Sequence, residues 1–201
     1  MISHKYKCIF IHIPRTAGTS IENWIVGKDW WKIDPNTKHL LASQAKKIYS
    51  KYWDEYFKFT FVRNPWDRMV SCLGFPTYYG INYDGTLNFD KYKELFGYPL
   101  TIENDYRFSN RKELITKKHK INSVYLNFID EKLDFIGKFE SLQKDIQFIK
   151  KKLNIKEDFQ FQNKIVASKR RPDYRDYYND ETRKIVSDLY KGGIKKFNYK
   201  F

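Results

Sequence analysis

The chain has 201 residues, of which 41% are hydrophobic and 18% aromatic, so it can fold around a core and is not expected to be disordered. Its net charge of +14 favours an anionic partner such as nucleic acid, an acidic glycan or a phosphorylated cofactor. Two cysteines are too few for a disulfide scaffold, and no apolar run approaches the roughly 20 residues of a membrane span. Residues 1–7 are polar and lack the apolar run of a signal peptide. We therefore expect a cytoplasmic protein.

The first elements predicted are a buried strand, a short loop and a helix. Both faces of residues 6–13 are apolar, which is typical of a strand covered by helices on either side. Pro14 ends this strand, and Thr19 and Ser20 are residue types that commonly cap a helix N-terminus. A second helix is expected over about residues 41–52.

Strands and helices continue to alternate along the chain. Residues 57–62, FKFTFV, predict a second strand, and a helix follows that Asn64 caps and Pro65 begins. Residues 133–139 predict a third strand, and residues 141–153 an amphipathic helix. This order favours an α/β fold, a single domain over the full chain in which helices flank a central parallel sheet.

Two segments are less regular. Residues 75–122 show few periodic runs and predict an irregular insertion, which either shapes an acceptor site or decorates the surface. Residues 163–178 are basic and aromatic and predict a loop. A last helix is expected from Asn179 or Asp180 to the glycine pair at 192–193.

The segment CIFIHIPRTAGTS, residues 8–20, predicts a P-loop-like phosphate site made of a strand, a loop and a helix start. A helix N-terminus presents unpaired N–H groups and the positive end of the helix dipole to an anion. Each candidate phosphate-binding residue offers a positive charge, a hydroxyl, or a small side chain that lets the backbone approach the phosphate. These residues are Arg15, Thr16, Ala17, Gly18, Thr19 and Ser20. The alternative is an ordinary strand-to-helix turn, and the G-x-x-x-x-G-K-[ST] pattern of nucleoside triphosphatases is absent from this segment.

A second anion pocket is predicted at the next strand. Arg63 follows residues 57–62, at the strand end where open α/β sheets bind ligands. Ser71 lies two helical turns after the start of the following helix, on the same broad face as Asn64. The alternative is that Arg63 pairs with Asp67 at the helix cap and that Arg68 is a solvated charge.

These segments resemble the sulfotransferases that use 3′-phosphoadenosine 5′-phosphosulfate (PAPS), specifically the carbohydrate (type 2) branch. The 5′-phosphosulfate loop of that family, I-P-K-T-[AG]-G-T-S, corresponds to residues 13–20, which we call the first motif. Its 3′-phosphate motif, F-V-R-[ND]-P-x-x-R-x-x-S, corresponds to residues 61–71, which we call the second motif. The later segment DYRDYYNDETRKIV is also similar to the family, whereas residues 74–122 match nothing in it.

The resemblance implies roles for individual residues in binding PAPS. The first motif would wrap the 5′-phosphosulfate, and its Arg15 would face the bridging oxygen where the family usually has lysine. Arginine keeps the charge but presents it as a planar fork instead of a mobile point. Arg63 and Ser71 would bind the 3′-phosphate. Lys169 and Arg170 would close over the same phosphate or, alternatively, belong to a solvated run of charges.

Sulfuryl transfer to an acceptor hydroxyl also requires a base, and histidine suits neutral pH. His39 resembles in position the histidine that precedes the equivalent helix in many type 2 relatives, so we expect it to be the catalytic base. A capping or surface role is the alternative for His39, and His12, in the first strand, is the reserve candidate. The resemblance implies transfer to a hydroxyl acceptor, expected to be a glycan, with no metal ion.

Two other functions suit parts of the sequence. A nucleotide or metabolite kinase on a related fold would need the P-loop lysine, and no such residue follows the first strand. A basic nucleic-acid-binding module would suit the charge and the sixteen tyrosines, but no nucleic-acid motif is present in the sequence. The sequence therefore favours the sulfotransferase.

Overall fold

The computed structural model describes residues 1–73, 81–82, 84–88, 90, 124–162 and 173–201. The chain divides into two units: Met1–Arg63 with Phe128–Gln162, and Asn64–Asn127 with Asn163–Phe201. We refer to them as the first and second units and describe each by itself. The assignment of all 201 residues to a single domain stays a prediction.

The first unit contains a four-stranded sheet. Its strands are β1 Ile2–Ser3, β2 Cys8–Ile11, β3 Phe57–Val62 and β4 Phe135–Lys138. They lie in the order β1-β2-β3-β4, and the last three are parallel to one another. The prediction of an α/β fold with a parallel sheet is therefore confirmed for β2, β3 and β4, and the sheet as a whole is mostly parallel. The antiparallel edge strand β1 was not predicted, because two residues are too few to show a periodic pattern.

The helices lie between and after the strands. They are α1 Gly18–Val26, α2 Ala42–Ile48, α3 Ser50–Trp53, α4 Pro65–Leu73, α5 Val124–Phe128, α6 Leu142–Leu153, α7 Asp180–Leu189 and α8 Lys191–Phe197. Short 3-10 helices cover Trp30–Lys32, Pro35–Thr37, Phe139–Ser141 and Tyr174–Tyr177. Among the residues that the structure describes, no helix is long and apolar enough to cross a membrane.

Two helix caps follow the sequence prediction. The Asn64 side-chain oxygen accepts hydrogen bonds from the backbone N–H groups of Trp66 and Asp67 at the start of α4. The Asn179 side chain accepts from the backbone N–H of Thr182 at the start of α7. Capping is local in sequence, so it could be recognised without knowing the tertiary fold.

Other helix boundaries differ from the prediction. The N-cap of α1 is Ala17, so Thr19 and Ser20 lie inside the helix and are not its caps. The helix predicted over residues 41–52 is interrupted at Tyr49, which separates α2 from α3. The glycine pair at 192–193 does not end a helix but lies within α8. Gly193 packs there so closely that a Cβ would lie 2.9 Å from the Tyr125 ring.

The core of the first unit is apolar and largely aromatic. Phe10 on β2 lies opposite Phe59 on β3, and both are fully buried. Fully burying one such side chain contributes about 1.5–3 kcal/mol to folding. Helices α1 and α6 add buried aliphatic residues to the same cluster, namely Ile21, Ile25, Leu142, Ile146 and Ile149. This packing holds the carboxyl ends of β2 and β3 side by side, and both sequence motifs begin at those two strand ends.

Candidate functional site

The first motif forms the connection between β2 and α1. Arg15 and Ala17 have φ values of 69° and 67°, in the left-handed region that residues other than glycine rarely adopt. No described side chain caps the N-terminus of α1 at Ala17. The backbone N–H groups of the first turn are thus not occupied by a cap from the described residues, and an anion is the natural partner for such groups. That the loop acts as a P-loop-like cradle stays a prediction.

Two hydroxyls of the first motif already have partners in the first unit. The buried Thr16 hydroxyl donates to the Ile13 carbonyl at 2.8 Å and so closes the loop on itself. The Ser20 hydroxyl oxygen accepts from the backbone N–H of Gln162 at 3.0 Å, which leaves its own O–H able to donate. Of the hydroxyls assigned to the ligand, Thr16 therefore has a structural role in this arrangement.

Arg63 connects the second motif to the first. Its guanidinium donates to the Arg15 carbonyl oxygen at 3.2 Å, and it stacks over the Phe139 ring with 4.0 Å to the ring centroid. Arg63 is buried, so this charge is held in place by the protein. The Arg63 side chain thus contacts the backbone of the first motif at the carboxyl ends of the neighbouring strands β2 and β3.

Ser71, Lys169 and Arg170 are the other residues predicted to bind the 3′-phosphate. Ser71 lies on α4 in the second unit, where it is buried. Its pairing with Arg63 on one phosphate stays a prediction. Lys169 and Arg170 lie outside the described residues, as does most of the insertion over 75–122.

In the second unit, the C-terminal segment packs against α4. The Asn64 amide donates to the Tyr174 hydroxyl at 3.2 Å, and the Tyr178 hydroxyl donates to the Trp66 carbonyl at 2.8 Å. Arg68 is buried and donates to the Tyr190 hydroxyl, so the alternative that it is a solvated charge is wrong. The part of the second motif that lies in this unit, residues 64–71, is thereby held by aromatic side chains.

Both candidate bases lie together in the first unit. The ring centroids of His12 and His39 are 4.5 Å apart in an edge-to-face arrangement. The Nδ1 atom of His39 lies 3.1 Å from the backbone carbonyl oxygen of His12. A carbonyl can only accept, so Nδ1 carries the hydrogen and the lone pair of the neutral ring is on Nε2.

His12 is held differently from His39. Its Nδ1 lies 2.6 Å from the Glu22 carboxylate, and its Nε2 faces Gly18 so closely that a Cβ there would lie 2.0 Å away. Burial lowers the pKa of His12, although Glu22 opposes this effect, so the ring is neutral near pH 7. His12 therefore packs beneath the start of α1, and glycine at position 18 is the residue that leaves room for it.

Glu22 joins the loop, the histidines and the following segment, and sequence reasoning missed it. Its carboxylate accepts from Lys38 Nζ at 2.5 Å and from the backbone N–H of Trp30 at 3.2 Å, as well as from His12. Lys38 also contacts the Asp29 carboxylate at 2.5 Å. Glu22 and Lys38 are both buried. The only available signal was a charged residue next to the apolar helix positions at 21 and 25, which does not identify its partners.

The pKa of Glu22 reflects this network. Burial alone raises the pKa of the carboxyl, but His12 and Lys38 together outweigh that effect and hold it below its ordinary value. Glu22 is consequently ionised at neutral pH, and its charge is balanced by Lys38. A buried carboxylate with three donors is a rigid anchor for the groups around it.

Comparison with known proteins agrees with the motifs. The profile of the sulfotransferase family matches residues 1–200. The chain belongs to the sulfotransferase family. The resemblance stated from the two motifs is thereby confirmed, and the carbohydrate type 2 branch is consistent with the family description. Neither a curated protein nor a solved structure matched the chain.

Membership supports sulfuryl transfer and makes the chain a transferase. As a sulfotransferase it departs from the usual pattern at Arg15, whose backbone carbonyl accepts from Arg63. The arginine side chain at this position keeps its charge at any physiological pH. Charge is therefore retained where the family has lysine.

Glu22→Gln should destabilise the folded chain strongly. The substitution removes the carboxylate charge that both Lys38 and His12 contact in a buried site. Breaking a buried ion pair lowers the free energy of unfolding by about 3–5 kcal/mol. Urea unfolding followed by circular dichroism measures the loss. The matched control is Glu131→Gln, which removes the exposed Lys46–Glu131 pair at 3.1 Å and should cost less than about 1 kcal/mol. Equal losses in the two variants would contradict the anchoring role of Glu22.

Stability should also fall as the pH drops below 6.5. In the folded chain the pKa of His12 lies below its ordinary value of 6.5. As the pH falls below 6.5, His12 is therefore protonated in the unfolded chain before it is protonated in the folded chain. This protonation stabilises the unfolded chain and lowers the free energy of unfolding. Glu22, whose pKa is lowered from 4.5, adds a loss in the same direction at still lower pH. Unfolding free energies at pH 7.5 and 5.5 should differ less in His12→Gln. An NMR titration of the His12 ring in the intact chain gives an independent check, and protonation above pH 6.5 would refute the assignment.

Proposed function

We propose that this sulfotransferase moves a sulfuryl group from PAPS to a hydroxyl of a carbohydrate acceptor. The observation that carries the proposal is the hydrogen bond from Arg63 to the Arg15 carbonyl, because it joins the two motifs to which the family resemblance assigns the two phosphate groups of one nucleotide. A single ligand that bears both a 5′-phosphosulfate and a 3′-phosphate would suit two motifs that are joined in this way and that each carry an arginine.

The donor set around the first motif fits such an anion. The start of α1 offers backbone N–H groups that no described side chain caps, the space beside Gly18 is taken by the His12 ring, and Arg15 would add a positive charge from the loop that precedes the helix. Arg63, stacked on Phe139, would hold the 3′-phosphate. Ser71 would contribute a hydroxyl to the same phosphate, and Lys169 and Arg170 would add further charge.

When bound, PAPS would supply an activated sulfuryl group, and adenosine 3′,5′-bisphosphate would leave when the bond from sulfur to the bridging oxygen breaks. Arg15 and the N–H groups at the start of α1 would stabilise the negative charge that develops on the 5′-phosphate of this nucleotide. His39 accepts the proton of the acceptor hydroxyl at Nε2, where its bond from Nδ1 to the His12 carbonyl places the lone pair. His12, neutral and packed against Gly18, is better suited to support the loop than to take this proton.

Binding of 3′-phosphoadenosine 5′-phosphate, compared with adenosine 5′-phosphate by calorimetry, tests the donor site. The 3′-phosphate should tighten binding, and Arg63→Ala should weaken only this nucleotide, by roughly 10- to 100-fold, the equivalent of one or two charge-assisted hydrogen bonds. The control is Arg183→Ala, which removes an arginine of the second unit that pairs with Asp180 at 3.0 Å. Equal affinity for the two nucleotides would exclude PAPS as the donor.

His39→Gln should lower the rate of transfer by about 100- to 10,000-fold, the usual contribution of a general base, without weakening nucleotide binding. Transfer of ³⁵S from labelled PAPS to a pool of glycans measures the rate, and calorimetry of the same variant checks binding. His4→Gln, an exposed histidine outside the cluster, is the control. An unchanged rate in His39→Gln together with a collapse in His12→Gln would transfer the role to His12.

A further inference from the structure

Trp31 is a large aromatic side chain that the first unit leaves half exposed beside the proposed base. It lies in the 3-10 helix Trp30–Lys32, and 47% of its surface is accessible, whereas its neighbour Trp30 is 6% exposed and donates from Nε1 to the Thr37 hydroxyl. The ring centroids of Trp31 and His39 are 5.7 Å apart, with an interplanar angle of 70°. An apolar ring of this size exposed to water forgoes the stabilisation that burial would provide.

The position of Trp31 is fixed by the same buried network that supports the histidines. The Asp29 carboxylate accepts from the Trp31 backbone N–H at 3.1 Å, and Asp29 is in turn bound by Lys38. Lys38 Nζ also lies 5.8 Å from the centroid of the Trp31 ring. The indole Nε1 has no acceptor among the described residues, so its N–H can donate to a ligand.

We propose that Trp31 is the surface on which a sugar ring of the acceptor stacks. This inference rests on the proposed function, because it takes His39 as the base. One face of a pyranose carries mainly C–H groups, which are apolar and weakly positive, and the face of an indole ring is apolar and weakly negative. A pyranose stacked on Trp31 would place hydroxyls at its rim beside the His39 imidazole.

The choice of a sugar ring as the occupant follows from what surrounds the tryptophan. The half-exposed Trp31 ring offers an aromatic face and an N–H donor, and the imidazole of the buried His39 lies 5.7 Å away between ring centroids. Apolar surface with a few polar groups is typical of small-molecule sites. The stack would orient the acceptor and would thus act mainly on its binding and not on the transfer step. Trp31 is therefore expected to govern which acceptors are used.

The proposal can be tested by ¹⁹F NMR on the full chain labelled with 5-fluorotryptophan. The chain has five tryptophans, and Trp31→Phe identifies the Trp31 signal. Methyl pyranosides and disaccharides should shift this signal, while sorbitol, which has the hydroxyls but no ring, should not. A Trp31 signal that no pyranoside moves, or that sorbitol moves equally, would overturn the proposal.

Kinetics provide the second readout. Trp31→Ala should raise KM for the best glycan acceptor about tenfold while kcat changes little, and Trp31→Tyr should restore most of the loss because it keeps an aromatic face. Phe148→Ala is the matched control, since Phe148 is 48% exposed and stacks on Phe135 of β4. An unchanged KM in Trp31→Ala would also overturn the proposal.

Two further measurements separate the possible failures. Nucleotide calorimetry on Trp31→Ala measures donor binding independently of the acceptor. If donor binding is normal and the Trp31 signal does not respond to sugars, only the inference about Trp31 is rejected. Absence of donor binding in the wild type rejects the proposed function and, with it, the assignment of Trp31 to an acceptor site. Sedimentation of the wild type and Trp31→Ala tests for a second copy of the chain on this surface, and a dimer lost in the variant would overturn the proposal.

Discussion

The carboxylate of Glu22 is the interaction on which the candidate site depends most. It accepts hydrogen bonds from a histidine on the segment after β2, a lysine that immediately precedes His39 and the backbone beside Trp31. Three stretches of chain that are separate in sequence are thereby tied to one buried charge. A buried charge without partners destabilises the folded chain. The fold is therefore most stable when all three donors contact the Glu22 carboxylate at once.

The parallel pairing of β2 and β3 supplies the second constraint. It brings the loop of the first motif and Arg63 of the second to the same edge of the sheet, where Arg63 donates to the Arg15 carbonyl. The aromatic core packs beneath these strands. In the proposed donor site, groups held in place by such packing would stabilise developing charge without reorganising.

Sequence reasoning succeeded where the determining interaction is local. The bounds of β3 and the caps at Asn64 and Asn179 follow from neighbouring residues alone, and the motif spacing was sufficient to indicate the family. It failed at the start of α1, where the left-handed residue Ala17, and not Thr19 or Ser20, is the N-cap.

Residues with distant partners were the hardest to interpret. Arg68 was weighed as a solvated charge because its partner Tyr190 lies 122 residues away. The partners of Glu22 lie only 8 to 16 residues away, but the sequence does not show that they share one buried site. The burial of Glu22 depends on how the segment after α1 folds back, and the exposure of Trp31 beside a buried Trp30 is decided by the same fold. Composition and periodicity do not report either feature.

A ³¹P NMR titration of 3′-phosphoadenosine 5′-phosphate tests the central claim most directly, because the nucleotide gives separate signals for its two phosphates. If the two motifs form one donor site, both signals shift when the wild-type chain is added, and in Arg63→Ala the 3′ signal alone returns toward its free position. If neither signal shifts, or if Arg63→Ala affects both equally, the two motifs do not divide the phosphates between them and the proposed donor site is wrong.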